Sequence, residues 1–166
     1  MVDAAEKVLD RQTLQEKVDS LHEAGKRLVF TNGCFDLLHI GHVRYLQEAR
    51  KQGDCLLVAV NSDSSVQQIK EQGRPVMPEG QRAEVVAALG CVDWVTIFPE
   101  PDPLTLITLL RPEVLVKGGD WPEEKIVGAA EVIGAGGEVL RIPLEPEVST
   151  SGIVQKILNR FNKEDT

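Results

Sequence analysis

Residues Arg27–His42 read RLVFTNGCFDLLHIGH, and the interpretation of the whole chain starts from this stretch. Its first six residues are mostly apolar or β-branched, which predicts a short strand. Gly33 then allows a tight turn, and helical spacing begins at Gly41. This places His39 and His42 three residues apart, at the start of a helix. A strand followed by a glycine turn and a helix is typical of the first unit of a parallel α/β sheet.

The same alternation continues on both sides of this unit. A first helix is expected to open with a capping box at Thr13 and Glu16 and to end at Gly25. Later helices are predicted over 41–52, 64–71, 78–89, 103–110, 122–133 and 151–161, and strands over 27–32, 55–61, 94–98, 114–117 and 138–142. The last helix should bury a face made of Ile153, Ile157, Leu158 and Phe161. We therefore expect an α/β fold, with a Rossmann-like, doubly wound, five-stranded parallel sheet and helices on both faces.

Composition limits the function. The 166 residues fit a single domain, which we assign to 27–162, preceded by a tail and helix (1–26) and followed by a short tail (163–166). The net charge of −8 argues against general nucleic-acid binding, and no apolar run is long enough for a bilayer. The three cysteines are odd in number and form no C-x-x-C pair, which favours a reducing cytoplasm.

The turn after the first strand has the chemistry of a phosphate site. Ligands of such folds bind beyond the carboxyl ends of the strands, and free N–H groups at a helix start favour anions. His39 and His42 add two imidazole donors there. Alternatively, either histidine is structural, or both join Cys34 in a zinc site, although no second closely spaced ligand pair is present. P-loop and G-x-G-x-x-G motifs are absent, so a P-loop ATPase or a dinucleotide oxidoreductase is disfavoured.

Residues 31–42 resemble the T-x-G-x-F-D-x-x-H-x-G-H motif of the HIGH-containing nucleotidyltransferase superfamily. A fuller resemblance, to the adenylyltransferase domain of the ADP-heptose synthesis enzymes, runs from about Arg27 to Ile157. Besides the first motif it includes AVNSD, RPV, QR and LVKGGDW, which begin at residues 59, 74, 81 and 115. The combination of the histidine motif with LVKGGDW is more specific than H-x-G-H alone.

This resemblance implies transfer of AMP from ATP to D-glycero-β-D-manno-heptose 1-phosphate, giving ADP-heptose and pyrophosphate for the lipopolysaccharide core. It further implies Mg²⁺ with ATP, a cytoplasmic enzyme, and no nucleic-acid or membrane partner. Related enzymes are commonly dimers, so a homodimer is allowed. Because about 26 residues precede the first strand, too few for a kinase, we expect a separate heptose kinase to supply the sugar phosphate.

The resemblance also implies roles for individual residues. His39, His42 and Lys117 are the candidate catalytic residues, and no protein ligand for a metal is assigned. Arg50 and Arg74 are candidates for binding the substrate phosphate, and Arg82 either braces Asp36 or contacts phosphate. The candidate nucleotide-binding residues are Thr31, Asn32, Gly33, Cys34, Phe35, Asp36, Gly41, Asn61, Asp63, Arg82, Gly118, Asp120, Ser149, Thr150 and Ser151.

Two alternatives remain open. Cytidylyltransferases for glycerol 3-phosphate or a similar alcohol phosphate are related, but they carry an arginine where Leu144 stands and a lysine where Arg50 stands. Arginine is not a neutral replacement for lysine at a phosphate. The alternative of another class is a nucleotide-sensing module that binds without turnover.

Overall fold

A computed structural model describes residues 2–119, 125–143 and 148–161. Five parallel strands form one sheet in the order β3-β2-β1-β4-β5. The strands are β1 (Leu28–Gly33), β2 (Cys55–Asn61), β3 (Trp94–Phe98), β4 (Val114–Gly118) and β5 (Glu138–Ile142). The helices are α1 (Arg11–Glu23), α2 (Ile40–Arg50), α3 (Asp63–Ile69), α4 (Glu79–Ala87), α5 (Leu104–Leu110), α6 (Ala129–Gly134) and α7 (Thr150–Phe161), and a 3-10 turn covers Ala5–Lys7. The predicted five-stranded parallel sheet is confirmed.

Helices cover both faces of the sheet because successive strand residues point to opposite sides. In β1, Val29 packs with α2 and α4, whereas Leu28 and Phe30 pack with α1, α5 and α6. All seven residues of β2 are buried, as expected for a strand covered on both faces. The two resulting cores fix the carboxyl ends of the strands relative to one another.

Two predicted helix starts are wrong. The cap of α1 is Asp10, whose carboxylate accepts a hydrogen bond from the backbone N–H of Thr13, so Thr13 lies inside the helix. Helix α6 begins only at Ala129, because Gly128 has a φ of 86° and cannot continue a right-handed helix. A Cβ at Gly128 would also lie 2.4 Å from the Ile107 side chain, so both the space and the backbone require glycine. Residues 122–124 of that predicted helix lie outside the described residues.

The expected buried face of α7 is also wrong. None of its residues is buried, and Ile157, Leu158 and Phe161 are 47%, 46% and 68% exposed. The apolar spacing correctly predicted a helix, but only Ile153 at its start is half-buried, and the rest of its apolar face is exposed in the described chain. Among the described residues, no helix is both long and apolar enough to cross a membrane.

Candidate functional site

The loop between β1 and α2 leaves the sheet at its carboxyl edge and turns sharply at Phe35. Phe35 has a φ of 46°, an unfavourable value for a bulky residue, and its side chain is only 6% exposed. A Cβ at Gly33 would lie 3.0 Å from the Phe35 ring, so glycine lets the ring fold back over the strand end. The Phe35 ring in turn lies against His42, with 5.3 Å between ring centroids. The strained residue therefore helps to hold the histidine.

His39 and His42 lie side by side at the start of α2. Their rings stack with centroids 3.8 Å apart and planes inclined by 23°, and His39 is the N-cap residue. Within the described ranges, neither Nδ1 atom has a hydrogen-bond partner, although both atoms are buried. Burial lowers the pKa of His39, and burial together with the neighbouring His39 lowers the pKa of His42 to about 4. At neutral pH the pair therefore presents neutral imidazoles with unused polar atoms, an arrangement suited to a polar or anionic ligand.

Asp36 joins this loop to the segment between α3 and α4. Its carboxylate accepts hydrogen bonds from the backbone N–H groups of Val76 and Met77, both at 2.9 Å, and from Nε of Arg74 at 2.6 Å. Burial alone raises the pKa of Asp36, but the N–H donors and the Arg74 guanidinium outweigh burial and lower it overall. The Asp36 and Arg74 side chains are 1% and 7% exposed, so Arg74 braces Asp36 as half of a buried ion pair. The sequence offered Arg74 as a candidate substrate contact and did not predict this pairing.

Arg82 also braces the β1–α2 loop. One prediction was that Arg82 contacts Asp36, but the structure shows no hydrogen bond between these two described residues. The Arg82 side chain is fully buried and donates to the carbonyl oxygens of Cys34 (2.5 Å), Asn61 (2.8 Å) and Met77 (2.9 Å). It also donates to Asp63 Oδ1 at 2.7 Å. With four acceptors from the protein, Arg82 is a structural link between the β1–α2 loop, the end of β2 and α3.

Thr31, Asn61 and Asp63 position elements around the loop. The Thr31 hydroxyl lies 2.7 Å from the Tyr45 hydroxyl, which donates to the carbonyl of Val116 at 3.1 Å. Asn61 donates from Nδ2 to Ser65 Oγ at 2.9 Å, at the start of α3. The sequence analysis missed Tyr45, although the single tyrosine of the chain, three residues after His42, lies on the sheet-facing side of α2.

Lys117 lies near the carboxyl end of β4, one residue before Gly118. Its ammonium donates a hydrogen bond to Oδ1 of Asn32, on the neighbouring strand. Burial lowers the pKa of Lys117 to about 8. Burial also raises the pKa of the nearby Cys34 thiol, so Cys34 stays protonated at neutral pH. Lys117 thus brings a desolvated positive charge to the edge where the histidines lie.

The start of α7 docks onto the same edge. The Ser149 hydroxyl accepts a hydrogen bond from Gly152 N–H at 3.1 Å, which makes it the cap of the helix. Thr150 donates to the carbonyl of Leu37 at 3.3 Å, within the β1–α2 loop. Ser151 donates to Glu71 at 3.3 Å, and Glu71 accepts from Arg74 at 3.2 Å. Ser149, Thr150 and Ser151 are therefore brought to the site, as their predicted roles require.

Arg50, predicted to bind the substrate phosphate, lies at the opposite edge of the sheet from the histidines, so the structure does not bring it to the candidate site. It is the last residue of α2, and a helix that starts at the carboxyl edge ends at the amino edge. There its guanidinium donates to the carbonyl of Gly53 and pairs with Asp93, just before β2 and β3.

Asp120 lies outside the described residues. Within the described part of the chain, no group of three or more His, Cys, Asp or Glu side chains could hold a metal ion, and the Cys34–His39–His42 zinc alternative gains no support.

Comparisons with known proteins agree with this geometry. The sequence matches the cytidylyltransferase-like family over residues 30–156. It is 46% identical over 162 residues to the bifunctional protein HldE of Trichlorobacter lovleyi, covering 98% of this chain and 33% of that protein. It is 53% identical over 150 residues to the HldE of Photobacterium profundum, covering 90% and 32%. The chain thus spans about a third of the length of the curated relatives it matches.

Solved structures lead to the same fold. The lipopolysaccharide core biosynthesis protein of Thermoplasma volcanium superposes with a TM-score of 0.61 at 28% identity, covering 73% of this chain and 98% of that one. Pantoate–β-alanine ligase of Francisella tularensis shares the fold, with a TM-score of 0.57 and 13% sequence identity. The match covers 94% of this chain and 77% of the ligase chain. The strand order of the sheet and the β1–α2 loop with its two histidines together define a Rossmann-like fold of the nucleotidyltransferase type. The chain belongs to the cytidylyltransferase-like family within that class.

Proposed function

We propose that this chain is an adenylyltransferase that transfers AMP from ATP to D-glycero-β-D-manno-heptose 1-phosphate, with release of pyrophosphate. The observation that carries the proposal is the stacked His39–His42 pair, whose buried Nδ1 atoms lack partners among the described residues. The choice of sugar phosphate is supported by the resemblance of the LVKGGDW segment to the ADP-heptose synthesis enzymes. High identity to bifunctional HldE proteins supports the same choice.

The reaction needs positioning and charge neutralisation more than it needs a base. A phosphate monoester is largely dianionic at neutral pH, so its oxygen can attack the α-phosphorus of ATP directly. One P–O bond forms to the sugar phosphate while the bond to the departing pyrophosphate breaks in line with it. No proton has to be removed from the nucleophile, and no nucleophilic side chain is required.

The chain supplies donors for the charge that moves in this step. The two imidazoles can donate from nitrogen atoms that lack partners among the described residues, and α2 begins at His39 with the free N–H groups of its first turn. Binding of anionic phosphates raises the pKa of both histidines, which brings protonation closer to neutral pH. Lys117 adds a cation whose charge no carboxylate of the described residues neutralises.

Mg²⁺ with ATP is part of the proposal, bound mainly through phosphate oxygens. Among the described carboxylates near the loop, Asp36 and Asp63 are already engaged by Arg74 and Arg82. The residues present therefore fit an ion that arrives with the nucleotide, and its chemistry would be to offset triphosphate charge. Arg74 and Arg82 keep the loop in shape for that complex.

A cytoplasmic location and an upstream kinase complete the proposal. The three cysteines Cys34, Cys55 and Cys91 are all free thiols, which supports a reducing compartment. The acceptor is a sugar 1-phosphate, so a phosphoryl transfer to the sugar must come first, and we assign it to a heptose kinase. A homodimer stays a prediction from the resemblance.

A substrate panel tests the reaction. Purified protein with Mg²⁺ is given ATP or CTP, each with the β or α anomer of heptose 1-phosphate or with glycerol 3-phosphate, and pyrophosphate is measured. We expect release with ATP and the β anomer, and at least tenfold lower kcat/KM with CTP. Higher turnover with CTP and glycerol phosphate would support the cytidylyltransferase alternative. Calorimetric ATP binding without turnover of any acceptor would support the sensing module.

Histidine variants test the site itself. We expect His39→Ala and His42→Ala each to lower kcat by about 10²–10³-fold, as for loss of a preorganised donor, with a smaller change in KM for ATP. His42→Asn keeps a nitrogen donor near the Nδ1 position and should recover part of the loss. His22→Ala, which removes a histidine of α1 outside the site, is the matched control. Near-normal kcat in folded His42→Ala protein would contradict the proposed role.

A further inference from the structure

Asn32 and Lys117 meet across two neighbouring strands. The parallel pairing of β1 with β4 aligns Val29 with Val114 and Phe30 with Leu115. The same offset carried two residues further puts Asn32 opposite Lys117, where the amide oxygen accepts from the ammonium. This contact lies at the carboxyl edge, directly before the loop that carries the histidines. The sheet itself thus fixes the distance between the two side chains.

Lys117 differs from Arg74 and Arg82, the two arginines that brace the loop. Arg74 is paired with Asp36 and Arg82 with Asp63, so each of those charges is offset by a carboxylate. Within residues 2–119, 125–143 and 148–161, Lys117 forms no ion pair, and its hydrogen-bond acceptor is a neutral amide. Its charge is therefore held in place and still available to an anion.

We propose that Asn32 is a positioning residue of the transfer reaction, whose side-chain oxygen holds the Lys117 ammonium at the substrate phosphates without neutralising it. This inference rests on the proposed function and deepens it by assigning a task to the Asn32 side chain, for which only backbone contacts were expected. A carboxylate at this position would hold the ammonium more tightly but would cancel its charge. An apolar residue would leave a desolvated ammonium without an acceptor.

The titration of Lys117 makes the proposal measurable. Because burial lowers its pKa to about 8, the ammonium is mostly charged at pH 7 and begins to lose its proton just above that pH. An activity that needs the charged form should therefore decline on the alkaline side, near the pKa of Lys117. A change at Asn32 that moves this pKa should move the alkaline limb of the rate profile by the same amount.

The decisive variants are Asn32→Asp and Asn32→Leu, with Asn159→Asp as control. Asn159 is exposed on α7, where its side-chain oxygen accepts from Gln155 and not from Lys117, and its change to aspartate adds the same negative charge to the chain. The pKa of Lys117 is followed by NMR in protein with ¹³C-labelled lysine, the signal being assigned with Lys117→Met. Rates are measured as kcat/KM against pH with ATP and heptose 1-phosphate, and folding is checked by circular dichroism.

We expect Asn32→Asp to raise the pKa of Lys117 by about 1–3 units, to move the alkaline limb equally, and to lower kcat at pH 7.5 at least tenfold. Asn32→Leu should move the pKa and the limb downward, and Asn159→Asp should move neither. The proposal is overturned if the pKa of Lys117 in the Asn32→Asp protein stays within 0.3 units of its wild-type value, or if that pKa moves while the rate does not.

If the wild-type chain transfers nothing to any acceptor, the proposed function fails separately. ATP affinity by calorimetry then replaces the rate, and a loss smaller than tenfold in Asn32→Asp overturns the inference.

Discussion

At the amino edge of the sheet, Asp93 accepts a hydrogen bond from Leu56 N–H and pairs with Arg50, and the two side chains remain 39% and 35% exposed. At the carboxyl edge, Asp36 also accepts backbone N–H groups and pairs with an arginine, but it is 1% exposed and Arg74 is 7% exposed. The same residue types are thus arranged alike at the two edges, in water at one and away from water at the other. The histidines differ in their nearest charged group: His22 Nε2 lies 3.2 Å from a Glu113 carboxylate oxygen, whereas no carboxylate of the described residues forms an ion pair with His42.

This difference shows at which edge of the sheet the protein loses stability in order to keep polar groups available for a ligand. At the amino edge the Arg50–Asp93 pair stays partly solvated, so it contributes little to stability. Polar groups at the carboxyl edge are desolvated, and some are left unpaired or paired with a neutral group, which costs free energy unless a ligand uses them. Substitution of matched residues at the two edges should therefore have unequal effects.

The largest effect is expected at the aspartates. Asp36→Asn removes the buried partner of Arg74 and leaves it only the exposed Glu71 carboxylate at 3.2 Å, and loss of a buried partner costs up to about 3–5 kcal/mol of unfolding free energy. Asp93→Asn breaks a half-exposed pair and should cost about 1 kcal/mol or less. Urea unfolding monitored by circular dichroism measures both. A double variant, Asp36→Asn with Arg74→Gln, removes the uncompensated charge and should recover part of the loss. Equal effects of the two aspartate changes would remove the contrast between the edges.

A smaller effect is expected from His42 in acid. Its pKa is about 4 in the folded chain and near 6.5 when unfolded, so between these pH values the unfolded chain binds more protons. Stability contributed by the neutral imidazole is therefore present above pH 6.5 and is lost as the pH falls towards 4. Allowing for partial exposure, we expect about 1–2 kcal/mol from this group. His42→Gln should flatten the slope of unfolding free energy against pH over this range, with His22→Gln as the matched variant, and an unchanged slope would contradict the buried environment.

The buried charge of Lys117 should lower the free energy of unfolding. Its folded pKa, about 8, lies below the unfolded value of about 10.4, so wild-type stability rises as the pH increases from 8 to 10.5. At pH 7 the charged form is buried at a cost, and Lys117→Met should gain about 1 kcal/mol of unfolding free energy after the loss of the Asn32 contact. The exposed control Lys51→Met should stay within about 0.5 kcal/mol. A destabilised Lys117→Met protein would mean that the ammonium stabilises the fold.

Most of the sheet was predictable because each strand is a local, strongly patterned feature. Strands β2, β3 and β5 have the predicted bounds, since short apolar runs between turn residues leave little choice. The start of α6 was not predictable, because it depends on the close approach of Ile107 to Gly128. The apolar spacing of α7 predicts a helix but does not say whether a partner element covers it.

The position of the site in the fold was predictable from the sequence, but the contacts between its side chains were predictable only in part. The histidine motif after β1 locates the functional edge, because strand ends in a parallel sheet meet there. Which arginine meets which aspartate is set by long-range packing, such as the 38 residues between Asp36 and Arg74. Spacing in sequence carries no such information, so it predicted neither the Asp36–Arg74 pair nor the position of Arg50 at the amino edge. The direct roles of the remaining site residues stay predictions.

Arg50 provides the smallest expected effect and the most direct check of the contrast. It lies in a half-exposed ion pair at the amino edge, so Arg50→Gln should cost about 0.5 kcal/mol in thermal or urea unfolding. Because the carboxyl edge lies at the other end of the strands, kcat and KM for the sugar phosphate should stay within about twofold of wild type. A phosphate-binding arginine would behave differently, since loss of a charge-assisted contact raises KM at least tenfold while stability is kept. Steady-state kinetics of Arg50→Gln and Arg50→Lys separate the two cases. A tenfold rise in KM would mean that substrate reaches the amino edge, and the division of the molecule into a structural and a functional edge would have to be given up.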